Sequence, residues 1–333
     1  MGNSNNGLVD RYGRNHDYLR ISVTDRCNLR CHYCVPNGEH QCMDFEKLLT
    51  DDEIIKIVKI GAKLGIKKIR ITGGEPLLRK NLPKLIQQIK LIDEIEDIAL
   101  TTNGVFLKKY GAELKEAGLD RVNISLDSLD EKKFSYITRD GNLQQVLEGI
   151  VTAINLGLNP IKINVVLMKD FNVNEVEDFL KWTIREPIDV RFIEYMPIGQ
   201  GNNIWSDQYQ PLSIVEEIAQ RIAPYLGITR NKQSGPADQF SFENAKGSFG
   251  LIHPISCNFC DACNRLRLTA DGHLKPCLFW SDEVSLKQII DDEHQLLHAF
   301  KKAMFIKPER HQMGDAQFDF GNPTTRVMSA IGG

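Results

Sequence analysis

No run of apolar residues in this 333-residue chain approaches the ~20 that a membrane-spanning helix needs. An excess of either charge is missing as well: 41 Lys and Arg against 44 Asp and Glu leave a net −3. General affinity for nucleic acid or an anionic membrane surface is therefore not expected, and any anion site has to be a local basic cluster. The opening MGNSNNGLVDRYGRN has no apolar core, which excludes a secretory signal, and Asn6 stands where myristoylation needs Ser or Thr. Repeats and low-complexity tracts are absent too. These absences predict a cytoplasmic globular protein, long enough to bury a full core.

Cysteine is not scarce. Eight of them in a reducing compartment argue for metal or catalysis before disulfides, and they fall into two groups. Cys27, Cys31 and Cys34 form a C-x₃-C-x₂-C run. Cys257, Cys260, Cys263 and Cys277 lie near the far end, and Cys42 stands alone as a spare thiol. Three front thiolates are one ligand short of a closed zinc site or a fully ligated iron–sulfur cluster. On a [4Fe–4S] cluster they would leave one iron open for chemistry. A zinc knuckle completed by His32 or a distant residue is the alternative.

In the rear group Arg265 to Ala270 alternate as a strand, and Asp271-Gly272 reads as a two-residue hairpin turn. The return strand then sets Cys277 opposite Leu266, close to Cys263. That predicts a second metal centre, with a zinc site that includes Cys257 as its alternative. Arg265 and Arg267 share one strand face beside it. Together with Arg20, Arg70 and Lys162 they would suit a polyphosphate, unless they simply face solvent.

Six strand-like segments, at 18–24, 67–72, 98–102, 121–126, 161–167 and 189–195, are separated by helical patterns. The helices are expected at about 51–64, 81–92, 106–117, 142–157 and 174–185, the first opened by the capping pattern Thr50-Asp51-Asp52-Glu53. With right-handed crossovers this alternation implies a parallel sheet. One side-chain parity of the strands is polar: Arg20, Ser22 and Thr24; Arg70 and Thr72; Thr101 and Asn103; Asn123, Ser125 and Asp127; Lys162 and Asn164. The other parity is almost wholly apolar. A parallel sheet covered by helices on both faces should be apolar on both.

The prediction is therefore an α/β chain, a partial (β/α)₆ TIM-type barrel with the polar row lining a cavity. An open doubly wound sheet is the alternative. The alternation breaks after Pro197, so residues 1–200 are expected to form the barrel and 201–333 a second region. There the pattern suggests a helix over 211–226 and turn-like pieces over 227–256. Gly73-Gly74-Glu75-Pro76, at the end of the second strand, would let backbone approach a ligand closely.

The front cysteine spacing, with an aromatic before the third cysteine and the GGEP loop after the next strand, resembles the radical S-adenosylmethionine (SAM) signature. Adding FCDACNRLRLTADGHLKPCL and the terminal Ile331-Gly332-Gly333, the chain resembles the GTP 3′,8-cyclase family from about Tyr12 to its end. The resemblance implies one [4Fe–4S] cluster on Cys27, Cys31 and Cys34 and a second, auxiliary one on Cys260, Cys263 and Cys277. It places SAM contacts at Tyr33, Gly74, Ser125 and Met196. GTP contacts fall on Arg20, Arg70, Thr101, Lys162, Arg265, Leu266 and Arg267, and a catalytic tail on Gly332 and Gly333. Cys257 stands where the family usually has another residue.

The implied reaction takes GTP to (8S)-3′,8-cyclo-7,8-dihydroguanosine 5′-triphosphate, the first step of molybdenum-cofactor biosynthesis. It also implies a low-potential electron donor of flavodoxin or ferredoxin type, a cyclic pyranopterin monophosphate synthase downstream, and a monomer or homodimer. Two other classes compete. A peptide-modifying radical SAM maturase would need a peptide groove in place of the arginine row. A non-enzymatic two-zinc module would contain no sulfide.

Overall fold

The computed structural model describes residues 7–35, 38, 39, 42–198, 205–228, 235–257, 259–313 and 323–332. Six parallel strands follow one another in sequence: β1 (Tyr18–Ser22), β2 (Lys68–Thr72), β3 (Asp97–Thr102), β4 (Arg121–Ser125), β5 (Ile161–Leu167) and β6 (Ile188–Glu194). Six helices connect them: α1 (Asp51–Lys63), α2 (Leu82–Lys90), α3 (Leu107–Glu116), α4 (Glu131–Thr138), α5 (Leu143–Asn155) and α6 (Val176–Arg185). A doubly wound sheet reverses its strand order at a switch point. Here the order runs unbroken from β1 to β6, as in a barrel, but the sheet stays open.

The apolar parity explains which way the sheet faces. Leu19, Ile21, Ile69, Ile71, Leu100, Val122, Ile124, Ile161 and Ile163 are all buried under the helices. α1 starts where the capping pattern predicts: the Thr50 hydroxyl accepts from the Glu53 N–H, and the Glu53 carboxylate accepts from the Thr50 N–H at 2.8 Å. Its Ile54, Ile57 and Val58 face the strands.

The C-terminal half departs from expectation. The helix anticipated over 211–226 ends sooner, as α8 (Ser213–Ile222) after the short α7 (Trp205–Gln208). Strands β7 (Tyr225–Ile228), β8 (Asp238–Phe242) and β9 (Ser248–Ile252) replace the turn-like pieces. β9 is buried at every position, so it carries no alternation, and it extends the parallel sheet beyond β6. On the other edge β10 (Arg265–Leu268) runs parallel to β1, followed by β11 (His273–Lys275) and β12 (Val284–Ser285). Helices α9 (Glu293–Ile306) and α10 (Met328–Ile331) complete the chain.

The β10–β11 turn also differs. Arg267 pairs with Lys275, and the Thr269 N–H donates to the His273 carbonyl at 2.9 Å, which leaves Ala270, Asp271 and Gly272 as a three-residue loop. Gly272 takes φ +85°, the left-handed residue such loops require. Carried on, this register sets Cys277 level with Arg265 rather than Leu266.

Candidate active site

The strand pairings bring the polar residues into rows across the sheet. Arg20 lies between Arg267 and Arg70, Tyr18 between Arg265 and Lys68, and Thr101, Asn123, Lys162 and Asp189 follow one another. Arg191, level with Asn164, joins them and is only 5% exposed. The sequence pattern had not singled out Arg191, although its parity with Asp189 continues the polar row onto the sixth strand. Buried atoms here lack partners: Nε of Arg20, Arg70 and Arg191, Oγ1 of Thr101 and Oδ1 of Asn123. Buried polar atoms are nearly always satisfied, so unsatisfied ones gathered on one parity of adjacent strands are groups a polar ligand could engage.

The charges repel one another. Burial, then Arg267 and Arg70, hold the Arg20 guanidinium well below its ordinary pKa. Burial, then Arg191, Arg121 and Arg70, bring the Lys162 ammonium down to about 7. Burial would raise the Tyr18 phenol, yet Arg70, Arg20, Arg121 and Arg265 together lower it. Such crowding is costly without an anion to neutralise it.

The front cysteine loop leaves β1 at the C-terminal edge of the parallel strands. It is seated on the glycine loop by a backbone seam: the Gly74 N–H donates to the Thr24 carbonyl at 2.8 Å and the Glu75 N–H to Arg26 at 2.7 Å. The close approach that the glycines permit is thus first to the chain's own backbone. Glu75 is fully buried and pushed up to about 7 by burial. It accepts from Leu77 N–H, Thr102 Oγ1 and Asn103 N–H at 3.0, 2.8 and 2.8 Å. Asn103 in turn donates to Asn28 Oδ1 at 2.8 Å and points toward Cys27 Sγ at 3.9 Å.

On the other side α4, a helix the sequence pattern did not suggest, holds the loop. Its Thr138 and Ile137 carbonyls accept from Arg30 and His32 N–H groups, and Arg139 donates to the Arg30 and Val35 carbonyls, both at 2.6 Å. The Tyr33 hydroxyl donates to Asp127 at 2.8 Å, and Asp127 is raised to about 6 by burial. Ser125 ends β4 level with Asn164, while Met196 packs against the buried cluster of Ile198, Phe279 and Met313.

The rear thiols sit at the opposite edge of the sheet. Cys260 and Cys263 precede β10, which is parallel to β1, and Cys277 follows β11, which returns antiparallel. The arginine rows therefore lie between the two triads. Burial pushes the Cys263 thiol up, but Lys307, Arg265 and Arg14 outweigh it and draw it down to about 6. Leu266 is fully buried in the core and pairs with Leu19 of β1. Cys257 is exposed. Cys257→Ser is expected to leave the metal content at the parent level, checked by metal analysis of the purified chain.

The C-terminal tail packs against residues of β1, β2 and β10. The Gly332 carbonyl accepts from the Arg267 guanidinium at 2.5 Å, and a Cβ on Gly332 would sit 2.4 Å from Thr72 Cγ2. Arg326 anchors the segment by forking onto Asp271 and Glu283. Gly333 lies outside the described residues.

Residues 21–183 match the Radical SAM superfamily, and residues 188–313 match Molybdenum Cofactor Synthesis C. The GTP 3′,8-cyclase of Listeria monocytogenes is 49% identical over 330 residues, covering 98% of this chain and 99% of that one. The chain belongs to the GTP 3′,8-cyclase family. Another member, from Lactiplantibacillus plantarum, is 45% identical over 331 residues, again 98% and 99% of the two chains. Among solved structures, Streptococcus suis SuiB bound to S-adenosylmethionine superposes with a TM-score of 0.59 at 16% identity, over 87% of this chain and 69% of SuiB. That likeness establishes a shared radical SAM fold.

SAM and iron–sulfur clusters are the cofactors of the cyclase family, and the residues fit them. Burial pushes Cys27 and Cys34 up to about 11 and 12 and Cys31 well above its ordinary value; Cys34 and Cys27 add to the rise at Cys31, and Cys27 to that at Cys34. Three such groups become thiolates together only around a cationic metal centre. Among the described residues no three His, Cys, Asp or Glu side chains close on a single metal ion. No described helix is long and apolar enough to cross a membrane.

Proposed function

We propose that this chain converts GTP to 3′,8-cyclo-7,8-dihydro-GTP, with residues 1–200 serving SAM and residues 201–333 closing the GTP end of the cavity. The observation that carries the reading is the row of unsatisfied guanidinium and amide groups lying between two cysteine triads. Cys27, Cys31 and Cys34 would hold one [4Fe–4S] cluster, and Cys260, Cys263 and Cys277 the other. The chemistry these centres and SAM supply is hydrogen-atom abstraction at the ribose 3′ carbon and bond formation to guanine C8.

The protein orients and excludes water. Arg20, Arg70, Arg191, Arg265, Arg267 and Lys162 fix the triphosphate, and Thr101 contacts the nucleotide beside them. Tyr33, Gly74, Ser125 and Met196 line the SAM end. Gly332 brings the C-terminal tail against Arg267 at the GTP end. Holding the reacting carbons together is a positioning effect. The electron comes from a low-potential donor of flavodoxin or ferredoxin type, and the product passes to a cyclic pyranopterin monophosphate synthase.

The test is anaerobic reconstitution followed by metal, sulfide and turnover analysis. About eight iron atoms per chain are expected, four for each cluster, with cleavage of SAM that depends on reductant. The Cys27→Ala, Cys31→Ala, Cys34→Ala variant should retain about half the iron and cleave no SAM. Stoichiometric zinc without sulfide would refute the reading.

Lys162 gives a pH signature. Its folded pKa lies near 7, below the ordinary 10.5, so ligand-free protein has largely lost this proton at pH 8. A triphosphate beside it raises the pKa again, so GTP binding between those two values takes up a proton. Affinity should therefore weaken as pH rises above 7. Calorimetry in buffers of different ionisation enthalpy should show the uptake, and Lys162→Met should abolish it.

A further inference from the structure

The rear triad is surrounded by cations that triphosphate binding does not use. Arg14 donates to the carbonyls of Cys260, Pro308 and Glu309 at 2.9, 2.7 and 2.6 Å and pairs with Asp10 at 2.6 Å. Its charge is matched by a carboxylate. Lys307 differs. It is 3% exposed at the end of α9, and its Nζ donates to the carbonyl of Arg265 at 3.1 Å and to that of Pro276. Among the described residues no carboxylate pairs with it.

Those two carbonyls are telling. Arg265 lies two residues past Cys263, and the Pro276 carbonyl belongs to the peptide bond leading into Cys277. One ammonium thus ties together the segments that present two of the three thiols. Carbonyls solvate a buried ammonium but do not neutralise it, and an unneutralised buried charge is costly. An iron–sulfur centre on three thiolates carries net negative charge, and more of it once reduced.

We propose that Lys307 is the built-in counter-cation of the rear cluster, a positioning residue that gathers the Cys263 and Cys277 segments and favours the reduced cluster. The proposal rests on the reading that this triad holds a [4Fe–4S] centre. The experiment uses the full chain carrying Cys27→Ala, Cys31→Ala and Cys34→Ala, so that only the rear centre is observed. Into it go Lys307→Met, Lys307→Arg and Lys307→Gln, the last keeping a donor for the carbonyls without the charge. Iron and sulfide are counted, and a dithionite titration followed by electron paramagnetic resonance gives each midpoint.

Lys307→Arg should stay near the parent. Lys307→Met and Lys307→Gln should shift the reduction equilibrium at least tenfold toward the oxidised form, about 59 mV for one electron, or lose the cluster while remaining folded by circular dichroism. If Lys307→Met does not fold, Lys307→Gln decides alone. An unchanged midpoint in Lys307→Gln overturns the proposal, as does equal iron loss from all three variants. A parent chain without iron would instead refute the rear-cluster reading, and the proposal with it.

Discussion

Gly74→Ala is expected to abolish SAM cleavage while leaving the rear cluster in place. A Cβ at this position would lie 2.3 Å from the Arg26 carbonyl oxygen, 2.7 Å from its carbon and 2.8 Å from the Asp25 oxygen. All three are backbone atoms, so no side-chain rotation relieves the overlap. The seam from Thr24 to Glu75 must part, and it ends one residue before Cys27. Misplacing a reacting centre by about an ångström costs on the order of a hundredfold in rate. Cleavage should fall by at least that factor, and iron to about half the wild-type content if the front cluster no longer loads. Gly227→Ala is the control, because its Cβ would meet nothing within 4 Å. Full iron and full cleavage in Gly74→Ala would show that the seam can open without harm.

The parts of this molecule that were legible in the sequence are those governed by local period. Alternation over two residues separated Arg20, Arg70, Thr101, Asn123 and Lys162 from the isoleucines beneath them, and the strand pairings align Arg20 with Arg70 and Thr101 with Asn123 and Lys162. The Thr50–Glu53 box marked a helix start because both halves of the reciprocal bond lie within four residues. β9 was illegible because all five of its residues are buried, which erases the alternation. α4 is only eight residues long, and its one clear signal, Asp130 accepting from the Lys133 N–H at 2.9 Å, is easily taken for a turn. Asp271-Gly272 serves two-residue and three-residue loops alike, so the dipeptide alone could not set the register of Cys277. Arg14 and Lys307 reach the rear triad from the chain's start and from the end of α9, and no local pattern reports such contacts.

Arg267→Met should separate stability from function. Arg267 is 7% exposed and, by burial and then the neighbouring Arg265, is brought down to about 10. Its charge is also the first of the neighbouring charges that depress Arg20. A basic group whose folded pKa is lowered stays protonated at pH 7 at the expense of the fold, and that penalty fades only as pH rises through the folded value. Removing the guanidinium takes away this penalty and the repulsion on Arg20, at the cost of one hydrogen bond to the Gly332 carbonyl. The unfolding midpoint of ligand-free protein at pH 7 is therefore expected not to fall.

GTP binding should respond in the opposite sense. A charge-assisted contact to phosphate contributes on the order of 1.5–3 kcal/mol, so affinity should drop about tenfold or more. Turnover should drop further, because the tail loses the donor that holds Gly332 in the cavity. Thermal unfolding and GTP titration on the same preparation check both arms. A lower midpoint with unchanged GTP affinity would make Arg267 a structural residue and remove it from the nucleotide site.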